Sequence, residues 1–160
     1  VAVTTYVGQN VGAGRMDRVS EGVKSALLMA AVVSVAMAVV LMPIGDKLMR
    51  LFSQETAVIE AGVKYLNRVL PFFTLLGTIF ILNGALRGAG EAMVPMLSSL
   101  VSMWLARVPA AYILAHFFGK DNIYYSYAIC WVLGLIIVGV YYIKGPWKDR
   151  IIKHSAKGEA

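Results

Sequence analysis

The sequence predicts an all-α fold, a polytopic bundle of membrane-spanning helices. Of its 160 residues, 59% are hydrophobic and 15% are charged, against roughly 45–50% and 25% in an average soluble domain. The apolar residues form four blocks, each near the ~20 residues that a helix needs to cross a bilayer. The blocks are residues 25–44, 69–86, 94–118 and 124–143. Charged residues fall almost wholly between them, so lipid is expected to cover the apolar surface.

The first third of the chain predicts one span with polar segments on either side. The apolar run 1–7 is expected to be the tail of a preceding helix, which makes the chain a piece of a longer protein. Residues 9–24 hold glycines and charges, so this connection is expected outside hydrocarbon. Pro43 and Gly45 predict the end of the first block. In 46–64, apolar residues recur between polar ones, which predicts a short helix lying along the membrane surface.

The remaining blocks predict three further spans. Block 69–86 carries Pro71 near its start and closes on a glycine-rich loop at 87–91. Block 94–118 is long enough to span with tilt, and a short turn leads into the final block. Residues 1–143 are therefore interpreted as the transmembrane bundle and 144–160 as a basic cytoplasmic tail, with Trp147 expected in the membrane interface.

Alternate connections share one side of the membrane, and their charges predict the orientation. We call one side the basic face; it holds nine basic residues. They are Arg15, Arg18, Lys24, Arg87, Lys144, Lys148, Arg150, Lys153 and Lys157. The opposite face holds Lys47, Arg50 and Lys120, with Lys64 and Arg68 at a helix edge. Because basic loops stay inside, the basic face and the C-terminus are expected to be cytoplasmic.

Arg107 is a charge inside an apolar block, where it costs roughly 2.5–3.5 kcal/mol on insertion scales. One interpretation is that it faces a cavity between helices and holds an anionic group or a partner carboxylate. The other is structural, an arginine that snorkels or bonds carbonyls freed by Pro109. Pro71 and Pro109 each remove a backbone donor, so both are candidate hinges or, alternatively, simple packing irregularities.

Polar side chains recur along the second span, at and around block 69–86. Asn67, Thr74 and Asn83, together with Arg107, are the candidate cavity-lining residues. A threonine can also bond its own helix backbone, which is the alternative for Thr74. An asparagine amide satisfies itself locally less readily, so the local alternative is weaker for Asn83 than for Thr74.

The sequence lacks the residues that several classes of function require. None of the four blocks contains an acidic residue, so a coupling carboxylate for H⁺ or Na⁺ is expected outside this chain. No phosphate-cradling loop, metal-spaced cluster or nucleophile with an adjacent base occurs, so neither an enzyme nor a cofactor or metal site is predicted. The basic residues form no stripe with stacking aromatics, which argues against nucleic acid.

Motifs along the chain resemble one transporter family. The run Val7-Gly-Gln-Asn-Val-Gly-Ala-Gly14, which contains Gly8, Gln9, Asn10 and Gly12, is similar to the loop after the eighth helix of multidrug and toxic compound extrusion (MATE) transporters. The later motifs are Leu86-Arg-Gly-Ala-Gly90, with Arg87, Gly88 and Gly90, then Arg107-Val-Pro109 and Tyr141-Tyr-Ile-Lys-Gly-Pro-Trp147. Their order and helix spacing match nearly the whole chain.

The resemblance implies the end of helix 8 and helices 9 to 12 of a twelve-helix transporter in the plasma (inner) membrane. It implies export of cationic or amphipathic drugs by alternating access, driven by H⁺ or Na⁺, with the glycine-rich loops allowing closure. The expected partners are drugs, membrane lipids and the remaining half of the transporter. The alternatives are a lipid-linked oligosaccharide flippase of the same superfamily and a non-transporting membrane scaffold subunit.

Overall fold

The computed structural model describes residues 1–148, and this part of the chain consists of helices joined by short turns. The helices are α1 (Ala2–Gly12), α2 (Met16–Phe52), α3 (Thr56–Val69), α4 (Phe73–Gly88), α5 (Met93–Val101), α6 (Val108–Phe117) and α7 (Tyr125–Lys144). Four stretches are long and apolar enough to cross a membrane: Met16–Phe52, Thr56–Gly88, Met93–Phe117 and Lys120–Lys144. The predicted all-α bundle with four spans is confirmed.

Helix α2 does not end at Pro43 and Gly45, and that prediction was wrong. The helix runs through both residues to Phe52, with Asp46 and Arg50 paired one turn apart at 2.7 Å on its surface. A proline removes one backbone donor, whereas breaking a helix near lipid exposes several polar groups at once. Continuing the helix is therefore the less costly solution.

The surface helix predicted over 46–64 is also absent, because the structure divides this segment between two spans. The chain breaks only at 53–55, where the Glu55 amide donates to the Ser53 hydroxyl at 3.1 Å. This local bond to a serine side chain satisfies the backbone where the direction changes. Helix α3 then begins at Thr56 and forms the first part of the second span.

The first polar connection is shorter than predicted. Residues 9–12 belong to α1, and α2 starts at Met16, so the turn comprises only 13–15. Gly14 has a φ of 67°, a backbone conformation that glycine adopts at little cost. The tight turn brings α1 and α2 side by side.

Two spans contain irregular turns at or beside the prolines that are candidate hinges. A 3₁₀ turn at Leu70–Phe72 contains Pro71 and joins α3 to α4. A π-helical turn at Ser102–Arg107 joins α5 to α6 just before Pro109. Because proline cannot donate to the preceding turn, the backbone tightens or widens around it. Whether these turns act as hinges stays a prediction.

The main core lies at the basic face, where α1 and α4 end, α2 begins and α7 ends. Its buried residues are Val7, Val19, Val23, Leu82, Ala85, Leu86, Val138 and Trp147. Trp147 was expected in the membrane interface and instead is only 1% exposed. Its Nε1 donates to the Tyr142 carbonyl at 2.9 Å. The turn after α7 folds the indole back onto the bundle, so burial against α2 replaces contact with headgroups.

The division into a bundle at 1–143 and a tail at 144–160 stays a prediction. Helix α7 ends at Lys144. Arg150, Lys153 and Lys157, which the tail prediction used, lie outside the described residues.

Candidate functional site

The four candidate cavity residues do not meet in one place. Asn67 is exposed on α3, whereas Asn83 is buried on α4. Sixteen residues of nearly continuous helix separate them, which is about 24 Å at 1.5 Å per residue. Thr74 is half-buried, and its carbonyl accepts the Thr78 hydroxyl at 2.8 Å. Only some of the four candidate residues can therefore line any one cavity.

Asn83 lies in the buried stretch of α4. It is 4% exposed, and its carbonyl accepts the Arg87 Nε at 3.2 Å. Its side-chain Oδ1 is buried without a hydrogen-bond partner in the described part of the chain. A buried acceptor without a donor is unfavourable by about 1–3 kcal/mol. The interpretation of Asn83 as a cavity-lining residue stays a prediction.

Glycines allow the close approach of α1 and α4. A Cβ on Gly88 would overlap the Thr4 carbonyl oxygen and lie 2.9 Å from the Val7 Cβ. A Cβ on Gly8 would lie 3.3 Å from the Gly88 carbonyl oxygen, whereas Gly12 has nothing within 4 Å. Two of the motif glycines therefore serve helix contact, because small residues let backbones approach closely.

The remaining motif residues have local roles. Asn10 donates its Nδ2 to the Tyr6 carbonyl at 2.8 Å within α1, and Gln9 is exposed. Gly90, with a φ of 85°, follows α4 and donates its amide to the Arg87 carbonyl. The described structure thus brings Gly8 and Gly88 together at one helix crossing and leaves Gln9 and Gly12 outside it.

Arg107 lies against an aromatic ring. Its Cζ is 3.9 Å from the centroid of the Tyr127 ring on α7. The π face of tyrosine attracts a cation, most strongly where water is partly excluded. A ring partner of this kind was named by neither interpretation of Arg107.

Tyr127 belongs to a larger group that we call the arginine–aromatic cluster. Its members are Tyr65, Arg68, Phe72, Phe73, Arg107, Tyr124, Tyr125, Tyr127 and Trp131. Tyr127 meets Tyr65 edge-on at 5.8 Å and Trp131 at 6.0 Å. Edge-to-face packing of this kind stabilises aromatic pairs beyond their buried area. The cluster joins the second, third and fourth spans near the opposite face.

Sequence reasoning missed this cluster, although a signal for it exists. Tyr65, Arg68 and Phe72 are spaced three and four residues apart, and so are Tyr124, Tyr127 and Trp131. Such spacing places each set on one helix face. The sequence does not show that the two faces meet.

The chemistry available at the cluster is electrostatic. Its two guanidinium groups bring positive charge and hydrogen-bond donors, so it favours anionic groups over cations. Among the described residues, no group of three His, Cys, Asp or Glu could hold a metal ion.

Four spanning helices, with an arginine inside one span and irregular turns at two prolines, define a polytopic integral membrane protein. The MatE family model matches residues 1–113. The chain belongs to the MatE family.

Curated relatives agree with this membership. The chain is 31% identical over 147 residues to "Probable multidrug resistance protein YpnP" of Bacillus subtilis, covering 92% of this chain and 33% of that protein. It is 24% identical over 154 residues to "Probable multidrug resistance protein NorM" of Thermotoga maritima, covering 95% of this chain and 33% of that protein. The chain thus spans about a third of the length of these relatives. No solved structure gave a significant match.

Proposed function

We propose that the protein containing this chain is a secondary active efflux transporter that exports cationic or amphipathic drugs. The observation that carries the proposal is the MatE match over residues 1–113 of a chain with four spanning helices. The relatives' names, which specify multidrug resistance, support the same substrate class. Export proceeds by alternating access, in which helix bundles move around a central site.

A gradient of H⁺ or Na⁺ drives this export, and the coupling carboxylate lies outside this chain. The four apolar blocks contain no aspartate or glutamate, and an intramembrane titratable group is the usual coupling device. The remaining part of the transporter supplies it.

Dye accumulation in everted membrane vesicles tests the function. Vesicles containing the protein at its full native length should concentrate a cationic fluorescent dye when a H⁺ or Na⁺ gradient is imposed. A protonophore or sodium ionophore should abolish the accumulation, and vesicles from cells without the protein provide the control. Absence of uptake under both gradients contradicts the proposal, and uptake that requires lipid-linked phosphate substrates favours a flippase.

The basic face and the C-terminus are cytoplasmic, in the plasma (inner) membrane. The support is the excess of arginine and lysine on that face. In a Cys130→Ser background, Lys120→Cys at the opposite face should react with an impermeant thiol reagent in intact cells. Lys148→Cys should react only after the membrane is opened. The reverse pattern contradicts this orientation.

A further inference from the structure

We propose that Arg68, together with Tyr124 and Tyr125, binds the phosphate of an anionic phospholipid at the opposite face. This site is independent of the proposed drug export. It concerns a defined headgroup position, as distinct from general contact between the bundle and lipid.

The first observation is how Arg68 is held. Its Cζ lies 6.0 Å from the Tyr124 ring centroid and 5.8 Å from that of Tyr125. Its Nη1 is enclosed by protein without a hydrogen-bond partner in residues 1–148, while the side chain as a whole is half-buried. A guanidinium that is partly removed from water gains more from an anion at its exposed edge than a fully solvated one does.

The second observation is that the nearby acid is already engaged. Asp121 accepts a hydrogen bond from Lys64 Nζ at 2.9 Å, one helical turn before Arg68. Lys64 and Arg68 therefore share the Asp121 carboxylate, while the other nearby acid, Glu60, lies one turn from Lys64 and two turns from Arg68. Because Lys64 donates to Asp121 and also has Glu60 one turn away, Arg68 is the less compensated cation of the two. An anionic ligand fits it better than a zwitterionic headgroup, which brings its own cation.

The third observation is depth in the membrane. Arg68 directly precedes the apolar stretch 69–86, and Tyr124 opens the apolar stretch 124–143. The ring contacts bring these two boundaries together at one level of the bundle. Tyrosine rings and basic side chains at the edge of the hydrocarbon region typically lie at the level of the headgroups. A lipid phosphate is the acceptor present at that level.

The surrounding surface favours a lipid over a free anion. Ile123 and Tyr125 are 39% and 38% exposed, and Phe118 is 67% exposed just before the connecting turn. An acyl chain can cover such apolar side chains, and a small inorganic anion cannot. Only a lipid gains from both the cation and the apolar surface.

The test compares lipid binding by two arginine variants. Arg68→Gln removes the proposed ligand. Arg50→Gln is the matched control, because it removes the same charge from the same face, where Arg50 is exposed and paired with Asp46. Both are made in the protein at its full native length, purified in neutral detergent. The midpoint of thermal unfolding is titrated with phosphatidylglycerol, phosphatidylcholine or inorganic phosphate.

Phosphatidylglycerol should raise the midpoint of the unmodified protein at lower concentration than phosphatidylcholine. Arg68→Gln should weaken this binding by about tenfold or more, the size expected for hydrogen bonds to a charged group, and Arg50→Gln should leave it unchanged. If Arg68→Gln fails to fold, Arg68→Lys provides the comparison, because it keeps the charge and loses the planar donors.

Three results would overturn the proposal. They are an equal loss in the two glutamine variants, no preference of the unmodified protein for phosphatidylglycerol, and equal protection by inorganic phosphate at the same concentration. The last would assign the site to a free anion. Because no transport is measured, failure here leaves the export proposal unaffected.

Discussion

The two ends of the bundle are held together in different ways. At the basic face, α1 and α4 approach so closely that Gly8 and Gly88 meet backbone to backbone. Buried apolar side chains, including Leu86 and Trp147, fill the space around this crossing. Close packing of this kind leaves little room for change, because moving one element opens a void or forces an overlap.

At the opposite face, aromatic rings and charges add to the contacts of buried apolar residues such as Val69 and Leu70. Tyr127 contacts both the Arg107 guanidinium and the Tyr65 ring, and the Lys64–Asp121 pair is exposed. Such contacts are individually weak and are replaced without leaving a cavity. The comparison predicts that the basic face is the more rigid end of this bundle and that the opposite face is the more adaptable one.

The largest effect is expected when the buried indole of Trp147 is removed, which tests whether the basic face is close-packed. Trp147→Ala should lower the free energy of unfolding by about 3–5 kcal/mol, because it leaves a cavity in the core at the basic face. The measurement is the midpoint of thermal unfolding in detergent. Trp104→Ala is the matched control, because Trp104 is 64% exposed. Equal losses in the two variants would show that the basic face is not close-packed.

A second test adds atoms at the helix crossing. Gly88→Ala should lower the free energy of unfolding by about 1–3 kcal/mol, because the new methyl meets the Thr4 carbonyl and the Val7 Cβ. Backbone atoms of α1 cannot move aside without shifting the helix.

Gly12→Ala is the control for this substitution. Nothing lies within 4 Å of the Gly12 position, so alanine there should be neutral or stabilising by about 0.5–1 kcal/mol. A neutral Gly88→Ala, measured in the same thermal assay, would mean that the crossing adjusts as readily as the opposite face.

The sequence predicted the number and type of elements because each apolar block is long enough to span and little else determines a transmembrane helix. It failed at the ends of elements. Pro43 predicts the end of a helix, but α2 continues through it. Losing one hydrogen bond at the proline costs less than leaving several backbone groups unpaired near lipid. Its position after the last span predicts Trp147 at the membrane interface. The sequence does not show that a turn returns Trp147 to the core, because that turn depends on contacts with α2.

The site was less predictable than the fold for the same physical reason. Arg107 is recognisable in the sequence because a charge within an apolar block is energetically unfavourable in the membrane. Its ring partner, Tyr127, is 20 residues away in sequence and on another span, so the sequence does not reveal the contact. In the sequence, Arg68 is an ordinary charge at a helix edge. Its proposed role as a phosphate ligand follows from its contacts with the Tyr124 and Tyr125 rings. It follows also from the hydrogen bond that Lys64 already donates to Asp121.

A smaller effect is expected at the ring beneath Arg107. Tyr127→Leu should lower the free energy of unfolding by about 2 kcal/mol, because it keeps an apolar side chain and removes the π face that compensates the cation. Tyr127→Phe keeps the ring and should remain close to the unmodified protein. If phenylalanine proves as damaging as leucine, the phenol group and not the cation–π contact holds Arg107 in place.

The smallest effect is expected for the Lys64–Asp121 pair, whose side chains are 46% and 56% exposed. Exchanging them as Lys64→Asp with Asp121→Lys should leave the unfolding midpoint nearly unchanged, because solvent screens both charges in either arrangement. Each single variant places like charges together and should lower the midpoint slightly. At about 1 M salt this loss should vanish, since the screening length falls to roughly 3 Å. A large loss that persists in salt would show that the pair is a fixed structural contact, and the opposite face would then be as rigid as the basic one.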